Sequence, residues 1–405
     1  MKTLIGVEKR RSIKLSLSSL PEEIQVLILL RLPVASILTC KCVCKVWFSL
    51  ITSPVFVKDH LNLSIQSKNP RLMFIDHVFL HHQYESVFKG NLPMYSVDYN
   101  SVASSSGDPI CNIGAATRMD YPWPLECKGQ HRHVFFCGSC NGLVCLGITY
   151  DIETKDDNMF IIWNPTTREY KQVTPQHDHM LAYGEYGFGY DCRIDDYKLV
   201  RIDKKSGCTE ILVYTLGPDS WKTIGIDLYY KCNPGQGGVL LNGVLHRFGT
   251  TSTVTRNTSS DVIIAFSISN EELIHVPLPE GITPLAPEAT KSMGLWEDCL
   301  CLVDNNVDIR TDVWVMQNYG VRESWTKKIT ISHTVVTKYC YPELIWSHKD
   351  GEILIQTSYR FVLFNPTNKR VRMVRLHDIS EFLIVVQNYV ESLVSPKGTF
   401  QRKTK

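Results

Sequence analysis

Apolar positions recur with two different periods along this chain, and the change falls near residue 70. In EEIQVLILL, residues 22–30, Ile24, Leu27 and Ile28 share one helical face while Val26, Leu29 and Leu30 lie on the opposite one. A helix apolar on both sides has to bury both. Pro21 followed by Glu22 and Glu23 marks its start, since a first-turn proline forfeits no hydrogen bond and carboxylates suit the positive helix end. Pro33 opens a second short helix, and Ser53-Pro54 reads as the cap and first position of another. Between them Val43, Trp47, Leu50 and Ile51 follow the i, i+4, i+7, i+8 spacing of a buried stripe. About forty residues in three or four short helices cannot enclose two apolar faces alone. The surplus surface is therefore expected to meet a partner or the rest of the chain.

Beyond residue 70 the helical period gives way to short apolar runs bounded by Gly, Asn, Asp or Pro, which predicts strands. Five segments superimpose: MFIIWNPTTREYKQVTP, ILVYTLGPDSWKTI, VIIAFSISNEELIHVPLP, TDVWVMQNYGVRESWTKKI and RFVLFNPTNKRVRMV. Each runs apolar into an aromatic, turns through Asn, Pro, Gly or Ser, and returns as a second strand. The aromatics Trp163, Tyr214, Phe266, Trp314 and Phe364 are 51, 52, 48 and 50 residues apart. Most units follow a further strand-like run: NGLVCL, DDYKLVRI, NGVLHRF, EDCLCLV and GEILIQ. A period near fifty with three or four strands per unit predicts a propeller of kelch-like size. RLMFIDH and NLPMYSVDYN, within 71–100, read as an earlier irregular unit. FLIVVQNYVESLV, near the C-terminal end, reads as a strand that pairs with it and closes the ring, leaving no exposed sheet edge. The expected fold is thus α+β and multidomain: a small helical module, then an all-β propeller of about six blades with five repeats visible.

Composition narrows the function classes. The 405 residues are 44% apolar and 21% charged, enough for a packed core. Forty-three Lys and Arg against 41 Asp and Glu leave a net charge of +2, which makes no electrostatic case for nucleic acid or membrane. The first nineteen residues are basic but lack the apolar run and cleavage site of a signal peptide, so a cytoplasmic or nuclear location is expected. Fourteen cysteines scattered over the chain then read as reduced thiols, and the sequons at Asn62 and Asn257 as chance matches.

The stretch LTCKCVCKVW places Cys40, Cys42 and Cys44 within five residues. At 100° per residue Cys40 and Cys44 point towards the Trp47 stripe and Cys42 away. A zinc site needs four converging ligands and the nearest histidine is His60, so the cluster reads as packing. Cys137-Gly138-Ser139-Cys140 has redox or half-zinc spacing, but no second pair follows. His77, His81 and His82 with Glu85 read as a solvated connection. YGEYGFGY, residues 183–190, opens no helix and is no dinucleotide loop. Trp163, Trp221, Trp314 and Trp325 recur at repeat positions as blade packing, and Lys9-Arg10-Arg11 is a short basic run. No metal or cofactor is expected.

LPEEIQVLILLRLPVASI followed by CVCKVWFSLITSPVFVKDHL resembles the F-box of plant F-box proteins. It carries the Leu-Pro-Glu opening, the Ile-Leu-x-Arg-Leu-Pro middle, the Val-Cys-Lys-x-Trp third element and the Ser-Pro-x-Phe ending. Cys40 stands where such boxes usually carry an aromatic, and Val46 where a small polar residue is usual. CNGLVCL, IWNPTTRE, YGFGYD with DDYKLVRI, VYTLGPDSWK, LLNGVLHRF and DVWVMQNYGVRESW resemble the F-box-associated domain of the same proteins, with Arg247 where tryptophan is common. The expected divisions are a basic tail 1–17, an F-box 18–61, a propeller-like domain 72–395 and a tail 396–405.

The resemblance implies a non-catalytic substrate receptor of a Skp–cullin–F-box ubiquitin ligase. The box would dock on a Skp-family adaptor, and through it cullin, by way of Leu20, Pro21, Glu22, Ile24, Ile28, Leu29, Leu32, Pro33, Ser36, Ile37, Val43, Cys44 and Trp47. The propeller would hold a protein substrate through loops 78–93, 104–130, 175–185, 228–238, 249–260 and 280–290, leading to its ubiquitination and degradation. S-locus, kelch-type and defence-regulating members share these motifs; in the S-locus branch the target would be an S-locus ribonuclease. A ligase-independent scaffold and a kelch-type propeller enzyme are the alternative readings. The enzyme would need a metal or cofactor site and a secretory route, and the sequence displays neither.

Overall fold

A computed structural model describes residues 20–76, 93–99, 110–113, 116–121, 132–150, 158–176, 185–205, 208–226, 229–232, 238–253, 256–282, 290–306, 310–332, 343–347, 351–357, 361–376 and 384–397. Four helices come first: α1 (Glu22–Leu29), α2 (Val34–Cys40), α3 (Lys45–Ile51) and α4 (Pro54–Gln66). Pro21 and Pro33 sit at the capping position before α1 and α2, one residue earlier than a first-turn proline. Ser53 caps α4 as expected, its hydroxyl accepting from the Phe56 N–H at 3.3 Å. α4 itself continues past residue 61 to Gln66. Leu29, Val34, Ile37, Trp47, Ile51 and Phe56 form the core of this box, and the Trp47 indole N–H donates to the Gln25 side chain at 2.7 Å.

One helical expectation fails. α2 ends at Cys40 and α3 begins at Lys45, so Val43 lies in the turn between them, 64% exposed, and leaves the Trp47 stripe. The spacing i, i+4 assumed an unbroken helix, and the turn cancels the 100° phase.

The remaining chain makes six sheets arranged as blades. Blade 1 holds Arg132–Cys140, Leu143–Tyr150, Met159–Trp163 and Tyr170–Val173; blade 2 holds Glu185–Asp191, Asp196–Lys205, Cys208–Thr215 and Ser220–Ile226. In blade 3, Tyr229–Cys232 and Val239–Leu241 both pair with Val244–Thr253, followed by Arg256–Ser267 and Glu272–Val276. Blade 4 holds Thr290–Trp296, Cys299–Asn306, Arg310–Met316 and Trp325–Ser332. Blade 5 holds Glu343–Ser347, Ile353–Gln356, Phe361–Asn365 and Arg370–Leu376, with Ile110–Ile113 added in parallel at its outer edge. Blade 6 takes its inner strand, Ile384–Tyr389, from the C-terminal end and its outer strands, Arg71–Asp76, Met94–Asp98 and Thr117–Met119, from the other end of the sheet region. The inner strands contact one another in sequence around the ring. Closure by FLIVVQNYVESLV is thereby the observed arrangement, with Arg71 opposite Tyr389 and Ile75 opposite Val385.

The five aligned aromatics all lie on the third strand of their blades. Each blade is covered on both faces by its neighbours, which is why these strands read as continuous apolar runs rather than strict alternation. Along the second and third strands of blade 1, Val144, Leu146, Ile161 and Trp163 pack towards blade 6 while Cys145, Phe160 and Ile162 pack towards blade 2. The turns follow their residues. Asn141-Gly142 and Asn242-Gly243 take positive φ at both positions, as a two-residue hairpin of this type requires. The Asn164 and Asn365 carboxamide oxygens each accept two backbone N–H groups, from Thr166 and Thr167 and from Thr367 and Asn368. Trp221 and Trp325 tie adjacent blades: their indole N–H groups donate at 2.8 Å to the carbonyls of Thr174 in blade 1's outer segment and Pro277 in blade 3's.

Candidate functional site: an open helical face and a far loop face

Within α1 the two apolar faces have different fates. Leu29 is buried and Val26 and Leu30 pack against the box core, while Ile24, Leu27 and Ile28 stay 42%, 46% and 38% exposed. Pro21, Glu22, Pro33, Ser36 and Val43 are exposed, and Leu20 and Leu32 are half-buried. Leu29, Ile37 and Trp47, expected among the contact residues, lie in the interior of the box, beneath its surface. Cys44 also changes role. It is exposed and caps α3, its sulfur accepting from the Trp47 N–H at 3.5 Å. The sequence reading missed Phe48 (48% exposed) and took Val46 (62% exposed) only as a departure from the family pattern. The signal was available, since both fall beside rather than on the Trp47–Ile51 stripe. Eight of the thirteen exposed large apolar side chains among the described residues lie in the four helices and a ninth, Val43, in the turn between α2 and α3, so the exposed apolar surface concentrates on the box and not on the blades.

Antiparallel blades have two ends. The turns joining first to second and third to fourth strands leave at one end; the second-to-third connections and the exits to the next blade leave at the other. The first set is short: Asn141-Gly142, Glu297-Asp298 and the 164–169 turn are examples. The box stands at this end, with the Lys68 ammonium 2.7 Å from the Asp298 carboxylate in blade 4's turn. The strand ends flanking 78–93, 175–185 and 280–290 all lie at the other end. Three of the expected loops are not single loops: 104–130 contains the strands Ile110–Ile113 and Thr117–Met119, 228–238 contains Tyr229–Cys232, and 249–260 is mostly the paired strands Val244–Thr253 and Arg256–Ser267. Most residues of these segments, like His77, His81, His82, Glu85 and the Lys9-Arg10-Arg11 run, lie outside the described residues.

The thiols separate by environment. Cys40 is half-buried against the box core, whereas Cys42 and Cys44 are exposed, so the cluster is only in part the packing that its spacing implied. Cys137 and Cys140 lie on the inner strand of blade 1, where burial pushes the Cys137 thiol well up and the Cys140 thiol up to about 12. A thiol so placed supplies no thiolate at neutral pH, which argues against redox use of this pair. Among the described residues no three His, Cys, Asp or Glu side chains are grouped to hold a metal ion. Brief alkylation of the native chain is expected to label Cys42, Cys44 and Cys192 while sparing Cys137, Cys145 and Cys301 until denaturant is added, as read by peptide mass spectrometry. Labelling of Cys137 at the rate of Cys42 would contradict this placement.

The remaining candidates are structural. Glu185–Asp191 is the inner strand of blade 2, with Tyr186 and Phe188 buried. Arg247 replaces a common tryptophan with a polar bridge: its guanidinium donates to the Tyr186 carbonyl at 2.7 Å and lines a small cavity between blades 2 and 3. Among the described residues no helix is long and apolar enough to cross a membrane.

A profile of the F-box associated beta propeller domain matches residues 91–396, and one of the F-box domain matches residues 17–59. The chain is 28% identical over 392 residues to F-box protein CPR1 of Arabidopsis thaliana, covering 89% of this chain and 86% of that protein. It is 26% identical over 389 residues to the F-box/kelch-repeat protein At3g23880 of the same plant, covering 93% and 96%. F-box protein At4g22390, also of Arabidopsis thaliana, is 27% identical over 359 residues, covering 81% and 78%.

Proposed function

This chain belongs to the F-box proteins that carry an F-box-associated β-propeller domain, and from that premise we propose that it is the substrate receptor of a Skp–cullin–F-box ubiquitin ligase. The box docks on a Skp-family adaptor, which connects it to cullin, and the propeller holds a protein target. The observation that supports this reading is an opposition of ends: Ile24, Leu27 and Ile28 open on the box at the short-turn end, and the strand ends that lead into the longer connections lie at the other. One partner at each end can bind without excluding the other.

No catalytic group is assigned to the chain itself. Its contribution is proximity: a target held beside a charged ubiquitin carrier reacts at an effective concentration instead of a bulk one. Recognition on loops of a rigid ring suits this role, because loops vary while the blades stay fixed. Ubiquitination and degradation of the target follow from the same reading. Loss of the box surface separates this function from a scaffold or an enzyme. Leu20→Ala combined with Pro21→Ala is expected to weaken adaptor binding about tenfold or more by calorimetry, with the propeller's unfolding unchanged. An unchanged affinity would move the docking surface elsewhere.

A further inference from the structure

The box core contains one residue from the other end of the chain. Leu393, only 6% exposed, packs in the same cluster as Leu29, Val34, Ile37, Trp47, Ile51 and Phe56. It is carried by residues 390–397, which leave the closing strand Ile384–Tyr389 directly.

This segment is held firmly on its propeller side. The fully buried Asn164 carboxamide donates to the carbonyls of Ser392 at 3.0 Å and Val394 at 2.7 Å. Ser392 is also fully buried. A Cβ on Gly142 would run into the Ser392 side chain and come within 2.9 Å of the Val390 carbonyl, so the Asn141-Gly142 hairpin leaves the segment room to pass. Val394 packs on the cluster between blades 1 and 2. On the box side, α2 ends against the same region: Lys41 lies within electrostatic reach of Glu169 in the 164–169 turn. The surface contact Lys68–Asp298 is exposed at both side chains and contributes little by comparison.

We infer that residues 390–397 are a strap that completes the box, so that the adaptor-docking unit is discontinuous, built from the four helices and from Leu393 of the far end of the chain. The missing wall of a module too small to bury its own apolar surface is thus supplied by the segment that follows ring closure. This deepens the proposed function, but only its binding arm rests on that reading.

The test uses the full chain and two substitutions. Leu393→Asp removes the apolar contact, and Asn164→Asp keeps the turn-forming oxygen while removing the donor to the strap. Hydrogen exchange of the amides in α1–α4 is expected to rise about 30-fold or more in Leu393→Asp, and less in Asn164→Asp. Blades 2–4 should exchange as in the parent, and Leu393→Met should restore the box. Adaptor affinity should fall in parallel with box protection. Unchanged exchange in the helices of both Asp variants would overturn the inference, as would an equal rise in blades 2–4. If the parent chain failed to bind adaptor, the receptor reading would fall while the exchange result still decided the strap.

Discussion

Lys198→Ala should lower the stability of the propeller by about 3 kcal/mol, because buried Asp191 loses its close cation while Glu271 keeps only the exposed Lys222. The Lys198 ammonium, 5% exposed, donates at 2.7 Å to Asp191 within blade 2 and at 2.7 Å to Glu271 of blade 3, and at 3.1 Å to the Ile268 carbonyl. It therefore staples two blades through a largely buried site that opens to water on the Glu271 side. Burial opposes the charged form of all three groups. Hydrogen bonds outweigh it, holding Asp191 and Glu271 below the usual carboxylate range and Lys198 above the usual lysine value. The carboxylates' contribution is present above their unfolded values near 4 and is lost as pH falls through their lower folded values. That of Lys198 is present below about 10.4 and is lost as pH rises through its higher folded value. The staple is thus complete across the neutral range. A urea midpoint measured at pH 7 should drop sharply in Lys198→Ala and converge on the parent's as the pH is lowered past the carboxylates. A midpoint unchanged at pH 7 would show that the pair is not closed in solution.

The second large effect falls on binding and not on stability. Ile24→Asp together with Ile28→Asp should reduce adaptor affinity at least about tenfold, through the loss of about 0.6–1.2 kcal/mol of apolar burial per side chain, since about two-fifths of each remains to be covered, and the cost of desolvating two carboxylates. Neither side chain belongs to the box core or packs against its buried cluster, so the substitutions remove little of that packing. Unfolding of the double variant should therefore track the parent. Leu29→Asp, four-square in the box core, should instead unfold the helices, which distinguishes the open face from the residues that support it. Retained affinity in the Ile24/Ile28 variant would remove α1 from the interface.

Much of this architecture is legible in the residues because each level repeats the same instruction. Trp163, Tyr214, Phe266, Trp314 and Phe364 mark the third strand of successive blades, Asn-Pro follows two of them, and Asn-Gly marks the turn between first and second strands in blades 1 and 3. The closing strand is legible too, since Ile384–Tyr389 has no partner nearby in sequence and an unpaired inner edge is costly. The exposure of Ile24 and Ile28 follows from the phase of an unbroken helix, whereas Val43 leaves the buried stripe and Cys44 becomes a cap because a four-residue turn resets that phase. Leu29, Ile37 and Trp47 show the limit of a family motif: it conserves no distinction between a side chain that touches a partner and one that holds the touching residue in place. Leu393 illustrates a different gap. Its partners lie more than three hundred residues away, and no local period encodes such a contact.

The measurement that bears most directly on the receptor reading is the hydrogen-exchange footprint of a plant Skp-family adaptor on the full chain. The expected footprint is added protection along α1 and the α2–α3 turn, around Ile24, Leu27, Ile28 and Val43, with the blades and their far-end loops unchanged and left open for a target. Protection over the far-end loops with none on α1, or no complex at all from natively folded chain, would contradict the account.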